Sequence, residues 1–509
     1  MSQNTVPPQA GTWWRRLERG LDHVLPTGGN PLTQLGAVAG LLLLVLLVSG
    51  VYLFVVFDTS IEGAWHSIDR LSREQPFPGA WLRSLHRYAG DALMLVVWLH
   101  VVREWVLGRG HGFRRVIWWT GVPPLLLLYP SAIGGFWLNW DQLGHYSAVA
   151  SSELLDQLPL LGASLTRNFT HAGALSDRLF SLLIFVHIGV PLLLLFGLWF
   201  HLQRIHRPRV LPVLPLALGL LATLGGLSWL SPVQSQAPAD LATVPTDLPL
   251  DWILLHLHPL ADAVSPQLLL WALAAGLLLL LFWPTRRGRS SAAVAVVDPA
   301  HCNGCRLCVD DCPYAAISLV AHPLAKPGRQ LAVVASGRCA ACGICQGSCP
   351  VSTPVRRSAS LSPGIDLPEL PLAELQRRLQ AALAPDGNGA APIVVFRCRQ
   401  GAQALNIQAP RVRVIDLLCA AQLPAAFVTY ALHGGAAAVV LGSCSEAACE
   451  FRLGSRFSAE RMQGVRLPRL SKSVAKDRFR LVIADRGEEA KLAAALASLS
   501  EQSVIGDGR

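Results

Sequence analysis

Four histidines in apolar stretches of the sequence are spaced as two equal pairs, and imidazole is the side chain that most often binds metal ions. His86 and His100 are 14 residues apart, and His187 and His201 repeat that interval. Fourteen residues make nearly four helical turns, so the two imidazoles of a pair share a helix face about 21 Å apart. Two such helices could hold two stacked haem groups, with one histidine from each helix on each iron. Hydrogen-bonded bundle histidines or proton-relay groups are the alternatives, but the repeated interval favours haem.

Two pairs of glycines repeat the same interval on other apolar stretches. Gly36 and Gly50 are 14 residues apart, as are Gly121 and Gly135. A flat macrocycle inside a four-helix bundle needs the backbone to approach its edge, and glycine has no Cβ to obstruct it. Ordinary small-residue helix packing is the alternative, since Gly36 and Gly40 alone form a GxxxG pair. The repeated interval again favours haem.

All 12 cysteines lie after residue 300, and eight of them form two copies of C-x2-C-x2-C-x3-C-P. The copies read "CNGCRLCVDDCP" and "CAACGICQGSCP". In this bacterial ferredoxin run, three thiolates bind one cubane and the fourth reaches the other cluster. We therefore expect one [4Fe-4S] cluster on Cys302, Cys305, Cys308 and Cys349, and another on Cys339, Cys342, Cys345 and Cys312. Zinc or disulfides are the alternatives, but zinc does not require this repeat, and the cytoplasmic location predicted below disfavours disulfides.

The other four cysteines follow or end strand-like apolar runs. "PIVVF" leads to Cys398, "VRVIDLLC" to Cys419 and "AAAVVLGSC" to Cys444, while Cys449 lies five residues further on. A helical stretch near 422–433 separates the last two runs, which predicts a small α/β domain. Loops at the carboxyl ends of parallel strands converge, so these four thiols could gather round one cluster. Buried structural thiols are the alternative.

The histidines and glycines lie in segments that are long and apolar enough to cross a bilayer. Six such segments cover 32–57, 84–107, 115–138, 178–202, 210–230 and 266–284. Short arginine-rich connections alternate with longer, sparsely basic ones, and arginine-rich loops stay in the cytoplasm. We therefore expect the N-terminus and everything after residue 285 in the cytoplasm. His86 and His187 then lie toward the periplasm, and His100 and His201 toward the cytoplasm.

Composition supports a membrane protein with soluble domains, since 52% of residues are hydrophobic and 15% are charged. The net charge of +10 comes with arginines beside apolar segments rather than a basic stripe with aromatics, so no nucleic-acid partner is expected. The predicted fold is an all-α transmembrane bundle of six helices with a haem-binding four-helix core, a small α+β ferredoxin domain and an α/β iron–sulfur domain. The expected boundaries are a cytoplasmic N-terminal segment at 1–30, the di-haem core at 31–209, two further transmembrane helices at 210–290, the ferredoxin domain at 295–355, a linker with one amphipathic helix at 356–390, and the last iron–sulfur domain at 391–509.

Residues 20 to 285 resemble cytochrome b of the quinol-oxidising bc-type complexes. The resemblance rests on "RSLH" (Arg83 to His86), the paired histidines, the paired glycines and "GGFWLNWDQLGHY". It implies two b-type haems, with Arg83 pairing with a haem propionate. It also implies that His206, in "HLQRIH", binds quinone on the cytoplasmic side, although a loop histidine beside arginines could equally contact a lipid headgroup.

The sequence departs from that family at the periplasmic quinol site. Family members carry Pro-Glu-Trp-Tyr before the sixth span, where this chain reads "LPLDWILLHLHP". Asp251 and Trp252 are the candidates to replace the acid and the aromatic, and His256 and His258 are alternative proton groups or interfacial residues. The altered motif and shorter carboxylate put a working periplasmic site in doubt. No Rieske-type sequence is present in the chain.

The C-terminal region resembles the delta subunit of methyl-viologen-reducing hydrogenase, an iron–sulfur module that links hydrogenase to heterodisulfide reductase. The matching stretches are "FRC", "LLCAAQLPAAFV" and "GSCSEAACEFRLGS". The resemblance implies a [2Fe-2S] cluster on Cys398, Cys419, Cys444 and Cys449. The family usually has a second cysteine shortly after the first, whereas this chain has "CRQGA".

These features predict the quinone-reactive subunit of an oxidoreductase complex in the inner membrane, with its iron–sulfur domains in the cytoplasm. It would pass electrons between a cytosolic flavin or iron–sulfur oxidoreductase, heterodisulfide-reductase-like or hydrogenase-like, and the quinone pool. The alternatives are a proton-translocating bc-like quinol oxidase with a modified periplasmic site, and a redox sensor or scaffold. A homodimer stays open. The direction of flow depends on hydrogen bonds around the cofactors and is not set by these motifs.

Overall fold

A computed structural model describes residues 12–25, 29–158, 164–205, 207–242, 247–285, 293–323, 328–353, 361–384, 391–403 and 411–506. The chain folds into two compact units. The first comprises Met1–Gln203 and Pro208–Arg287, and the second comprises Arg204–Arg207 and Gly288–Arg509. The boundary near residue 287 falls where the apolar segments end, so the expected membrane part and the cysteine-bearing part fold as separate bodies.

The long secondary-structure elements described in the first unit are all helices. Its helices are α1 (Thr12–Val24), α2 (Leu35–Val56), α3 (Gly63–Glu74), α4 (Trp81–Val106), α5 (Arg115–Asn139), α6 (Gln142–Asp156), α7 (Arg167–Thr170), α8 (Asp177–Leu202), α9 (Leu214–Leu230), α10 (Leu257–Val264) and α11 (Pro266–Phe282). All six segments expected to span are therefore helical.

Three stretches among the described residues are long and apolar enough to cross a membrane: Pro31–Val56, Arg115–Asn139 and Asp177–Leu202. Helices α9 and α11 are apolar but have 17 residues each. Helix α4 has 26 residues and carries charged side chains near both ends, including Arg87 and Glu104. The membrane character of the unit follows from these helices, while the count of six spans stays a prediction.

Helix α2 packs along α4, and α5 packs along α8, and these four helices form the core of the unit. Apolar side chains from all four meet there, including Leu42, Leu93, Leu128 and Leu194. The connections expected as loops also contain helices. In α3, buried Ala64, Ile68 and Leu71 recur every three or four residues, which is the spacing of one helix face.

The second unit begins with small antiparallel pairs. Strand β1 (Val296–Val297) pairs with β4 (Ile365–Asp366), and β2 (Ile317–Ala321) pairs with β3 (Gln330–Val334). The short helices α12 (Leu307–Asp310) and α13 (Ile344–Ser348) each follow a cysteine-rich loop. Within the segment expected to be a linker, β4 joins this sheet and Leu367 is fully buried. That stretch is therefore part of the fold, and it leads into α14 (Leu372–Leu383), the expected amphipathic helix.

The C-terminal half of this unit is a parallel α/β domain, as predicted. Its strands are β5 (Ile393–Cys398), β6 (Val412–Leu417), β7 (Ala438–Ser443) and β8 (Phe479–Ile483), in the order β6-β5-β7-β8. The helices are α15 (Ala426–His433), α16 (Gly454–Met462) and α17 (Glu489–Gly506). Strands β5, β6 and β7 end at or just before a cysteine, so their carboxyl ends bring the thiols to one edge of the sheet.

Candidate functional site

Each of the four histidines packs against a glycine on the neighbouring helix. A Cβ built on the glycine would lie 3.2 Å from Cε1 of His86 at Gly50, 3.8 Å from Cε1 of His100 at Gly36, 3.2 Å from Cε1 of His187 at Gly135, and 3.3 Å from Cε1 of His201 at Gly121. Three of these four distances are too short for a side chain to fit without displacing the imidazole. The spaced glycines thus make room for the histidine rings themselves. Their expected contact with a macrocycle stays a prediction.

The histidines of α4 and α8 lie within electrostatic range of one another in two pairs. His86 interacts electrostatically with His187, and His201 interacts with His100. These are the two pairs that would share an iron. The structure therefore brings together one imidazole from α4 and one from α8 at each of two levels of the bundle.

Hydroxyl groups fix the orientation of two of these rings. Ser49 donates to the carbonyl of Val45 at 2.7 Å, so its Oγ accepts from Nδ1–H of His86 at 2.9 Å. Thr120 likewise donates to its own helix and accepts from Nδ1–H of His201 at 3.1 Å. A ring that donates through Nδ1 keeps the lone pair on Nε2, which is the form that binds metals. The residues therefore fit haem ligation.

Arg83 is buried at the first turn of α4. Its guanidinium donates to Ser72, to Asn139 at 3.1 Å and to Ser235 at 2.9 Å. These partners come from three separate segments, so Arg83 ties together the end of the bundle nearest His86. Its predicted pairing with a propionate is a further role that stays a prediction.

The quinone-site candidates were expected at two separate sites. His206, the cytoplasmic-side candidate, lies outside the described residues. Asp251 forms an ion pair with Arg87 and accepts from the backbone N–H groups of Ile253 and Leu254, both at 2.8 Å. Trp252 is 69% exposed. Asp251 is thus engaged in holding its own loop against α4.

His258, the alternative proton group, lies in a buried polar cluster that the sequence did not indicate. Its Nε2 is 2.8 Å from the hydroxyl of Ser151 and 3.4 Å from that of Ser147 on α6. Its Nδ1 is 3.2 Å from the carbonyl of Leu255. The two serines are four residues apart and lie on one face of α6. Their spacing alone did not predict the cluster, because it depends on α10 packing against that face.

In the second unit, two cavities are lined by the predicted cubane ligands. One is lined by Cys302, Cys305, Cys308 and Cys349 together with neighbouring residues. The other is lined by Cys312, Cys339, Cys342 and Cys345. In each, the fourth cysteine comes from the other motif, as the ferredoxin run requires. Within the described ranges, no three His, Cys, Asp or Glu residues lie close enough to share a single metal ion.

The environment of these thiols suits a metal cluster. Burial, aided by the neighbouring thiols of Cys305 and Cys349, raises the pKa of Cys308 to about 12. Burial raises the pKa of Cys345 in the other cavity as well. Such groups stay protonated at neutral pH unless a cation replaces the proton, and iron does so because thiolate is its ligand. The donor set thus fits iron–sulfur clusters.

The last four cysteines form one buried group. Cys398 contacts Cys444 through a sulfur hydrogen bond, and Cys449 contacts both Cys419 and Cys444. None is more than 3% exposed. Gly454, at the start of α16, was not indicated by the sequence, yet a Cβ there would lie 2.3 Å from Sγ of Cys419. Four gathered thiols fit a binuclear cluster in number and kind.

This group adjoins the second cubane site. Cys342 and Cys419 belong to one buried cluster with Ile344, and their side chains interact electrostatically. Cys308, Cys312, Cys345 and Cys349 share another buried cluster, which joins the two cubane sites. Among the twelve cysteines of the three sets, Cys305 alone is exposed. The second cubane site therefore shares buried clusters with both of the other cysteine sets.

Three stretches of the chain match known families. Residues 22–209 match cytochrome b/b6/petB, residues 301–353 the 4Fe-4S dicluster domain, and residues 393–504 the methyl-viologen-reducing hydrogenase delta subunit. These matches confirm the resemblances indicated by the sequence motifs.

Curated cytochromes b align with the first of these stretches. That of Rhodospirillum rubrum is 25% identical over 185 residues, which is 36% of this chain and 44% of that protein. That of Rickettsia typhi is 28% identical over 193 residues, 37% of this chain and 48% of that protein. The chain thus spans less than half the length of these relatives. A solved structure of a hyperthermophilic respiratory Complex III matches 49% of this chain and 74% of its own chain, at 21% identity and a TM-score of 0.41.

Proposed function

Because the chain joins a cytochrome b/b6 domain, a 4Fe-4S dicluster domain and a domain like the delta subunit of methyl-viologen-reducing hydrogenase, we propose that it carries electrons between a cytosolic flavin or iron–sulfur oxidoreductase and quinone in the membrane. It is an electron-transfer subunit. Two b-type haems, two [4Fe-4S] clusters and one [2Fe-2S] cluster, when bound, supply the one-electron chemistry.

The shared burial of Cys342 and Cys419 carries the proposal. Both thiols belong to one buried cluster, so the cysteines of the delta-like domain adjoin those of the dicluster domain. A sensor or scaffold would not need its cysteine sets to adjoin one another. We infer that the partner enzyme exchanges electrons at the delta-like domain, since the delta subunits that this domain resembles link two such enzymes.

The histidine pairs supply the membrane part of the route. Nε2 of each imidazole is the atom that would hold haem iron, and the apolar helices around the rings exclude water from it. From the arginine-rich loops we expect the His100 and His201 level toward the cytoplasm, on the same side as the iron–sulfur unit. Quinone would exchange electrons there near His206.

Rapid mixing with a reduced low-potential flavin donor tests the proposal. We expect the haem absorbance of the intact protein to rise, and a Cys419→Ser variant to slow that rise at least tenfold because the delta-like cluster is lost. Ser471→Ala, a change at an exposed serine of the same domain, is the matched control. Haem reduction at the wild-type rate in Cys419→Ser would refute the proposed entry point.

The bc-like alternative requires quinol oxidation on the periplasmic side. The engagement of Asp251 with Arg87 and two backbone amides does not favour it, because a proton acceptor needs a free carboxylate.

A further inference from the structure

One fully buried arginine lies among the loops that carry all three cysteine sets. Arg461, on α16, has no exposed surface. Its guanidinium donates to the carboxylate of Asp311, to the hydroxyl of Ser348 and, at 2.7 Å, to the carbonyl of Ala421. Asp311 precedes Cys312, Ser348 precedes Cys349, and Ala421 lies two residues after Cys419. A single side chain thus touches the flank of one ligand from each set.

The surroundings of Arg461 are arranged around its charge. Ser348 also donates to Asp311 at 2.7 Å, and Arg466 donates to the second oxygen of that carboxylate at 2.7 Å. The side chain of Asp311 is 3% exposed. Arg461 also interacts electrostatically with Cys419, and its Nε is buried without a hydrogen-bond partner among the described residues. A buried ion pair is a poor way to gain stability alone, since apolar side chains of equal volume serve as well or better.

We propose that Arg461 and Asp311 balance each other's charge beside the iron–sulfur centres held by the adjoining loops, so that the reduction potentials of those centres depend on both side chains, with Arg461 as a positioning residue that also keeps those loops together. The inference rests on the proposed electron-transfer function. A cluster becomes more negative when it is reduced, so a nearby buried cation favours the reduced form and a nearby buried carboxylate opposes it. While the pair is intact, the two effects largely cancel.

Removing one member of the pair should therefore shift the potentials in a direction set by the charge that remains. Arg461→Met leaves the carboxylate of Asp311 with Arg466 alone and should lower the potentials of the adjoining centres. Asp311→Asn leaves the buried guanidinium unbalanced and should raise them. The double variant should return them toward the wild-type values. A tenfold change in the ratio of reduced to oxidised cluster at fixed potential equals ~59 mV for one electron, and we expect a shift of at least that size.

The measurement is a redox titration of the purified full-length protein followed by electron paramagnetic resonance, with iron and sulfide content determined for each variant. Arg456→Met is the matched control, because Arg456 lies on the same helix, binds Glu460 at 2.7 Å and has a side chain that is 48% exposed. It removes the same charge at the surface, where solvent screens it, and should leave every potential unchanged.

Opposite shifts in the two single variants would support the proposal. Unchanged potentials in both, or shifts of the same sign, would overturn it, since structural damage has no reason to follow the sign of the lost charge. If Arg461→Met does not retain its clusters, the near-isosteric Asp311→Asn decides alone. An upward shift of the potentials in that variant supports the proposal, and no shift overturns it. These potentials are measured without quinone or donor. If the two variants shift the potentials in opposite directions but the protein does not reduce quinone, only the proposed function is refuted.

Discussion

At each candidate haem ligand the structure pairs an imidazole with a glycine of the adjacent helix. The interval of 14 residues therefore recurs in two residue types together, and at His86, His187 and His201 the ring leaves little room for a side chain on the neighbouring helix. Ser49 and Thr120 add hydrogen bonds that hold two of the rings in the metal-binding tautomer. Histidine spacing alone does not disclose these hydroxyls.

Filling the space beside His187 should remove one haem. In Gly135→Val, the new side chain would begin 3.2 Å from Cε1 of His187 and push the ring away from its position. We expect haem content, measured as the pyridine haemochrome, to fall by about half. Gly226→Val on α9 is the control, since nothing lies within 4 Å of a Cβ there. Full haem content in Gly135→Val would contradict the assignment of His187.

Removing the hydroxyl behind His201 should change a potential without removing haem. Thr120→Val keeps the side-chain shape but takes away the acceptor for Nδ1–H, so the imidazole donates less electron density to iron. We expect the midpoint potential of one haem to rise by up to ~60 mV, which equals a tenfold change in the ratio of reduced to oxidised haem at a fixed potential. Thr223→Val, at an exposed threonine on α9, should leave both haem potentials in place. Unchanged haem potentials in Thr120→Val would contradict a role of Thr120 in tuning the haem that His201 would bind.

At the scale of elements, parallel strands explain how the last cysteines gather. Strands β5, β6 and β7 deliver Cys398, Cys419 and Cys444 to one edge, and the loop before α16 adds Cys449. This arrangement follows from the alternation of apolar runs and helices in the sequence. What the sequence did not disclose is the closeness of α16, whose first residue must be glycine to admit the sulfur of Cys419.

Gly454→Ala should therefore disturb the delta-like cluster alone. The added methyl group would lie 2.3 Å from Sγ of Cys419, which must move. We expect the [2Fe-2S] signal in electron paramagnetic resonance to be lost or strongly weakened while both [4Fe-4S] signals persist. Gly337→Ala, where a Cβ meets nothing within 4 Å, serves as the control. An unchanged [2Fe-2S] signal would argue against ligation by Cys419.

Sequence patterns predicted the positions of the helices and strands better than the contacts between them. Apolar runs located α2, α4, α5, α8, α9 and α11, because burial in lipid or core needs long apolar stretches. Amphipathic α3, α6 and α10 were missed, since their polar faces read as loops. The 356–390 stretch was expected as a linker with one amphipathic helix, but β4 within it pairs with β1, and Leu367 and Leu370 are buried. Contacts such as Arg461 with Asp311 join residues 150 positions apart and leave no local trace.

At the scale of the whole molecule, the role of Asp251 separates two kinds of enzyme. We expect Asp251→Asn to weaken the loop before α10 by ~1.5–3 kcal/mol through loss of a charged hydrogen-bonded pair, seen as a lower Tm. Reduction of quinone by electrons from the cytoplasmic side should be unaffected. Loss of quinol oxidation in this variant, with an unchanged Tm, would instead favour the bc-like alternative.

The account depends on haem iron held between α4 and α8 in the same chain that holds sulfur-bound iron. Its most direct test is a redox titration of the purified full-length protein by visible spectroscopy and electron paramagnetic resonance together. We predict two b-type haem transitions, two [4Fe-4S] signals and one [2Fe-2S] signal, with the optical spectrum diminished when His100 or His201 is changed to alanine. A single haem transition, or a spectrum untouched by either substitution, would contradict it.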